Sequence, residues 1–197
     1  MDILFWSGGK DSYLALKYYR RERGRDRPLK LLTTYEQERD VVPHQNIPLE
    51  NIKKQAEELK LESLRVPLPE NCPNETYLEA VGRALKDEEK PVERLVFGDW
   101  RLEDIREWRE KEFGRLGYEC FFPIWEKSLH DLLPVLILNP VEVKISAVKE
   151  EFRELIRVGE TYDQRFVQTL PPEIDPMGEN GEFHTEVIFR NLKDRVV

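Results

Sequence analysis

Cysteine is scarce in this chain: Cys72 and Cys120 are the only two in 197 residues. They lie far apart, with no His or Cys neighbour at metal-ligand spacing, which excludes a disulfide framework and speaks against a zinc site. Both read as packing residues. Long apolar runs are missing too. No stretch approaches the roughly 20 apolar residues that a membrane helix needs. The run Ile3-Leu4-Phe5-Trp6 is too short, and too soon followed by glycine, for a signal peptide. A cytoplasmic protein with no membrane partner is expected. Positive charge is in deficit, the net charge being -8. Because grip on a phosphate backbone depends on a positive footprint, this argues against a broad nucleic-acid surface. Internal repeats, low-complexity tracts and flexible linkers are also absent. What is present, 40% hydrophobic residues, can bury one substantial core and a small appended lobe.

The first dozen residues carry the strongest signal. The apolar run breaks directly into Ser7-Gly8-Gly9-Lys10-Asp11-Ser12 and then into a helical pattern. A strand that feeds a glycine turn and a helix start presents unpaired N–H groups and the positive end of a helix dipole to a bound anion. Ser7 and Ser12 offer hydroxyl donors, Lys10 a mobile cation, and Asp11 a group to orient a ribose hydroxyl or hold a metal ion. Taken alone, Gly8-Gly9 is also compatible with a tight turn and a capped helix. The order of strand, Ser-Gly-Gly, Lys, Asp-Ser and helix favours phosphate binding. The spacing is not that of a Walker A loop. The segment resembles the PP-loop of the N-type ATP pyrophosphatases, and the resemblance implies cleavage of ATP between its α and β phosphates.

Apolar, β-prone segments recur at 3–6, 29–34, 64–66, 95–97 and 120–122, with helical patterns at 12–23, 49–61, 76–86 and 103–116 between them. Alternation of this kind predicts an α/β fold: a mainly parallel five-stranded sheet with helices on both faces. Beyond Pro123 an apolar stretch at 132–138, a strand at 141–148 and a short helix at 150–158 suggest a smaller C-terminal α+β lobe. The expected division is 1–124 and 125–197, as two packed parts rather than independent modules. Ligands collect at the carboxyl ends of such strands. That rule gathers the 7–12 loop, Thr34 and Gly98-Asp99 on one rim, Gly98 allowing close approach of a base or phosphate and Asp99 offering a magnesium or substrate ligand. An ordinary turn is the other reading of Gly98-Asp99.

Near the C-terminal end lies Gly178-Glu179-Asn180-Gly181-Glu182-Phe183-His184-Thr185, the densest group of reactive side chains outside the loop. Strand alternation places Glu182 and His184 on one face, where each tunes the other's protonation and the pair binds an amine or moves a proton. A polar hairpin with both side chains exposed is the alternative.

Together, SGGKDS and GENGEFHT resemble the diphthine–ammonia ligase family of PP-loop enzymes, over nearly the whole chain. Gly98-Asp99, Arg106 and Glu110, and Pro123-Ile124-Trp125 fall where that family has similar residues. The resemblance implies ATP and Mg2+ as cofactors, held by Ser7 to Ser12, Thr34 and Gly98, with Asp11 and Asp99 at the metal. It further implies an acceptor site built from Arg106, Glu179, Asn180, Glu182, His184 and Thr185, with Lys10, Asp99, Glu182 and His184 in catalysis. The implied partners are a small-molecule or protein-borne carboxylate acceptor and ammonia or an amine; a homodimer is a further expectation. The segments 42–47 and 68–75 look like those of bacterial-type members. Bacteria make no diphthamide, so for such a member the family name describes the half-reaction rather than the acceptor. His44 is open to two readings, acceptor contact or satisfied loop histidine. Two rivals stand beside the ligase: a nucleotide-binding regulator without turnover, and a PP-loop enzyme modifying a tRNA base.

Overall fold

A computed structural model describes residues 1–137 and 141–190. The apolar segments form five parallel strands: β1 (Asp2–Phe5), β2 (Leu29–Glu36), β5 (Ser63–Leu68), β6 (Arg94–Val96) and β7 (Glu119–Phe121). Their order across the sheet is β5-β2-β1-β6-β7. Two short strands not expected from the sequence, β3 (Val41–Val42) and β4 (Ile47–Pro48), extend the carboxyl end of β2 through the antiparallel pair Glu36–Val41. They were hidden because each is two residues long and the turn between them is polar, His44 and Asn46 both holding positive φ.

Four helices cover the sheet: α1 (Lys10–Arg23), α2 (Leu49–Leu59), α3 (Asn74–Lys86) and α4 (Glu103–Arg115). Successive strand residues point to opposite faces. Leu4 and Leu31 therefore enter one core with Leu14, Ile52 and Ala56 of α1 and α2, while Ile3 and Leu32 enter another with Val81, Leu85 and Phe113 of α3 and α4. The chain runs from β1 outward to β2 and β5, then returns to the other side of β1 for β6 and β7. The reversal of strand order falls between β1 and β6, the place where open α/β sheets bind ligands.

The C-terminal part consists of α5 (Leu129–Ile137), β8 (Val141–Val148), α6 (Gln164–Thr169) and β9 (Phe183–Phe189). β8 and β9 pair antiparallel and lie on α1, α2 and α5. Val143 and Val187 share the core cluster of Leu14 and Ile52, so residues on both sides of position 124 build one core. The helix expected at 150–158 is only a 3₁₀ turn, Glu150–Phe152: Leu155 and Val158 face solvent and Gly159 turns the chain at φ +88°. The short α6 starts at Asp163, whose Oδ1 accepts the Phe166 N–H at 2.9 Å. Leu138, the end of the expected apolar stretch, lies outside the described residues. Among the described residues no helix is long and apolar enough to cross a membrane.

At the amino ends of the strands the sheet is closed by charge. Asp2 has 0% exposure and accepts hydrogen bonds from Tyr19 Oη at 2.8 Å, Arg27 Nε at 2.8 Å and Arg94 Nη1 at 3.4 Å. Burial alone raises its carboxyl pKa, but these donors outweigh it and hold the group below the usual carboxylate value.

Candidate functional site

The loop after β1 is shaped by two glycines with different tasks. Gly8 sits at φ +82°, and a Cβ there meets Ile52 Cδ1 at 2.6 Å and Gln55 Oε1 at 2.9 Å. Gly9 has ordinary φ, but a Cβ there meets the backbone oxygen of Thr185 at 2.9 Å. The close neighbour of Gly9 is thus the far end of the chain. Helix α1 begins at Lys10, two residues earlier than expected, so Asp11 and Ser12 lie in the first turn, whose N–H groups have no helical carbonyl four residues back. The serine hydroxyls knit the loop: Ser12 Oγ donates to Gly9 O at 2.9 Å and Ser7 Oγ accepts the Gly9 N–H at 3.3 Å.

Lys10 is not a mobile cation. Its side chain is 3% exposed, its Nζ lies 2.9 and 2.8 Å from the two oxygens of Asp11, and it rests over the rings of Tyr162 and Phe183 at 5.8 and 5.9 Å. Burial raises the Asp11 pKa, against the lowering influence of Lys10 and with the Asp99 charge adding to the rise.

β9 completes the loop from the opposite end of the chain. The Lys10 N–H donates to Thr185 Oγ1 at 3.1 Å, and the Val187 N–H donates to Gly8 O at 2.9 Å. Gln55 locks this junction, its Nε2 donating to Gly8 O at 3.1 Å and Val187 O at 2.7 Å while its Oε1 accepts from Trp6 Nε1 at 2.8 Å. Sequence reasoning missed Gln55, although the signal exists: it is an amide on the apolar stripe Ile52, Ala56, Leu59, where a buried polar group needs partners.

These elements enclose a cleft of about 1110 Å³ at the carboxyl end of the sheet, lined by Ser7, Asp11, Ser12, Thr34, Gly98, Asp99, Glu179 and His184, with Glu36, His44 and Arg109. Burial, and next the charge of Asp11, push the Glu179 pKa up to about 7. Its Oε2 is buried without a hydrogen-bond partner among the described residues, as is Oε1 of Glu36. Burial lowers His184 to about 4, helped by His44, whose ring centre is 6.0 Å away. The imidazole is therefore neutral at pH 7.

Several expected roles change. Glu182 precedes β9 and does not share a strand face with His184. It is 3% exposed and accepts the N–H groups of Asp175 at 2.9 Å and Asn180 at 3.0 Å, and Asn180 Nδ2 at 3.0 Å. Burial raises its pKa, but these donors prevail and the net shift is downward. Glu182 and Asn180 shape the turn that carries Glu179. Thr185 is buried and caps α1. Arg106 lies on the outer side of α4, paired with Glu110 at 2.9 Å and stacked over Trp125 at 4.7 Å. From the same helix it is Arg109 that lines the cleft, its Nε 2.7 Å from Asp99 Oδ2 and its guanidinium over the Phe97 ring at 4.3 Å. Gly98 packs on protein: a Cβ there meets the backbone of Asp11 at 2.8 Å, so the glycine lets the two loops touch.

For a cation, Asp11 and Asp99 supply hard carboxylate oxygens on neighbouring loops, and the Asp99 charge raises Asp11, a repulsion that a divalent ion relieves. No group of three or more His, Cys, Asp or Glu side chains among the described residues is arranged to hold a metal by itself.

No protein-family model matches the chain. No curated protein matches it either. Among solved structures it is similar to "U34-tRNA thiolase NcsA from Methanococcus maripaludis with its [4Fe-4S] cluster", at 16% identity and a TM-score of 0.44, over 70% of this chain. The chain spans 56% of that structure's length.

Proposed function

We propose that this protein binds ATP with its phosphates over residues 7–12 and uses it to adenylate an acceptor carboxylate, releasing pyrophosphate, before an amine or ammonia displaces AMP. One observation carries the reading: the loop residue Asp11 and the distant residues Glu179 and His184 line the same cleft, so a nucleotide half-site and a second polar half-site meet. A nucleotide sensor without turnover has no use for the second half.

A carboxylate is a poor electrophile because oxide or hydroxide would have to leave; the mixed anhydride with AMP supplies a better leaving group. The acceptor oxygen attacks the α-phosphorus, the bond from it to the bridging oxygen breaks, and pyrophosphate departs with the electron pair. The first-turn N–H groups of α1 other than that of Lys10, which Thr185 takes, hold that anion, and the Lys10 ammonium, buried against Asp11, adds its positive field as the charge grows. Asp11 and Asp99 are the residues that would hold magnesium, which when bound would offset the pyrophosphate charge. In the second step the amine nitrogen attacks the acyl carbon, AMP leaves with the carbon–oxygen pair, and a base takes the amine proton. Glu179, with its pKa near 7, is matched to that task at neutral pH, and neutral His184, which lines the same cleft, can accept a hydrogen bond from the substrate.

The test is product analysis. With ATP, Mg2+ and a panel of carboxylic acids and amines, AMP and pyrophosphate are expected, and Lys10→Ala should lower kcat more than it raises the KM for ATP. ADP as the main product overturns the reading. Pyrophosphate release that depends on added tRNA, and not on a carboxylate, replaces it with base modification.

A further inference from the structure

The two long walls of the cleft differ in chemistry. One, from the end of β2 and the β3–β4 hairpin, is mixed but richer in polar groups, with Thr34, Glu36, Arg39, Gln45 and Asn46 beside Val41 and Val42. The other comes from α3 and α4. Helix α4 is rich in charge, and of its side chains only Phe113 is fully buried. Leu102 and Ile105, at its start, are each 36% exposed, and both line the cleft with Trp108 and with Tyr77 of α3. A helix laid on a sheet ordinarily turns its apolar residues inward; here the first turns of α4 offer theirs to the cleft. Exposed apolar area inside a concave site is what a ligand's apolar body covers. At the inner end of this wall stand Arg109 and Asp99, beside the loop.

We propose that the α3–α4 wall is the acceptor subsite, and that the acceptor is a carboxylic acid with an aromatic or aliphatic body. The proposal rests on the adenylation reading. The body lies on Leu102, Ile105, Trp108 and Tyr77, and the carboxylate points inward, past the Arg109–Asp99 pair toward the α-phosphate. The polar wall is left for the ribose and base of ATP. No co-reactant is needed beyond the ATP and amine already named.

The probes are phenylacetate and hexanoate as apolar acids, and glycolate and succinate as polar ones, in ATP–pyrophosphate exchange and in hydroxylamine trapping of the acyl adenylate. Exchange with the apolar acids should exceed that with the polar acids by about tenfold or more in kcat/KM. Ile105→Asp, at a half-exposed site that tolerates charge, should raise the half-saturating concentration of phenylacetate by about tenfold and leave that of ATP unchanged. A shift in ATP affinity instead means that the wall holds the base, and overturns the proposal. A second readout is independent of turnover: phenylacetate should change the tryptophan fluorescence saturably, and Trp108→Phe should abolish the change. Fluorescence change without exchange keeps the apolar subsite and removes adenylation. Exchange confined to polar acids, without a fluorescence change, keeps adenylation and removes the subsite. Neither signal removes both.

Discussion

The two ends of the central sheet are built on opposite principles. At the amino end Asp2 is buried but satisfied, its carboxylate surrounded by Tyr19, Arg27 and Arg94. At the carboxyl end Glu36 and Glu179 each keep a buried oxygen without a partner among the described residues, and Glu179 and His184 are both pushed toward their neutral forms. A satisfied buried charge holds a structure together, whereas unsatisfied groups mark where something else is meant to bind. One end of the fold serves stability; under the proposed function the other serves chemistry.

Breaking the satisfied end should have the largest effect on stability. Asp2→Ala leaves Arg94 and Tyr19 facing an empty buried site and should cost about 3–5 kcal/mol, read as a fall in the urea midpoint. Nucleotide affinity per folded molecule should not change, because the site is at the other end of the strands. Next comes Gly8→Ala, which places a Cβ at φ +82° and 2.6 Å from Ile52. It should cost about 1–3 kcal/mol and weaken ATP binding together with stability, in calorimetric titration of the folded variant. Thr185→Val removes the cap on Lys10 and should cost about 1 kcal/mol, with a loss of ATP affinity that Thr185→Ser restores.

In the unaltered protein the smallest effect is in pH dependence, because two opposed contributions offset each other. Glu179 keeps its proton to about 7 in the folded protein but to about 4.5 unfolded. The folded state then binds more protons, so this group lowers stability as pH rises through that window. His184 titrates at about 4 folded and 6.5 unfolded, so it raises stability over nearly the same window. The two nearly cancel. Urea midpoints of Glu179→Gln should climb from pH 4 to 7, and those of His184→Asn should fall. Asp2, depressed, acts only in acid: its contribution is present above the ordinary carboxylate value of 3.8 and is lost as pH drops through its folded value.

Much of this was legible in the sequence because local pattern and tertiary environment agree. Each of the five parallel strands is an apolar run, and the Ser-Gly-Gly-Lys-Asp-Ser order needs a strand before it and a helix after it, both of which form. The misreadings have physical causes. Glu182 was assigned to a strand face by period-two counting, but three N–H donors of the preceding turn capture its carboxylate before the strand begins. Arg106 and Arg109 are one helical turn apart and equally basic; only packing decides that the latter faces the cleft. Gln55 is a buried amide whose partners lie 47 and 132 positions away, a separation that no local window spans.

The hydrogen bond between Lys10 and Thr185 joins residues 175 positions apart. The loop is among the first described segments to be synthesised, yet its cap follows roughly ten seconds or more later at ordinary translation rates. A nascent chain released early has the loop residues but not the strand that fixes them. Under the proposed function, nucleotide binding is expected only once β9 is in place.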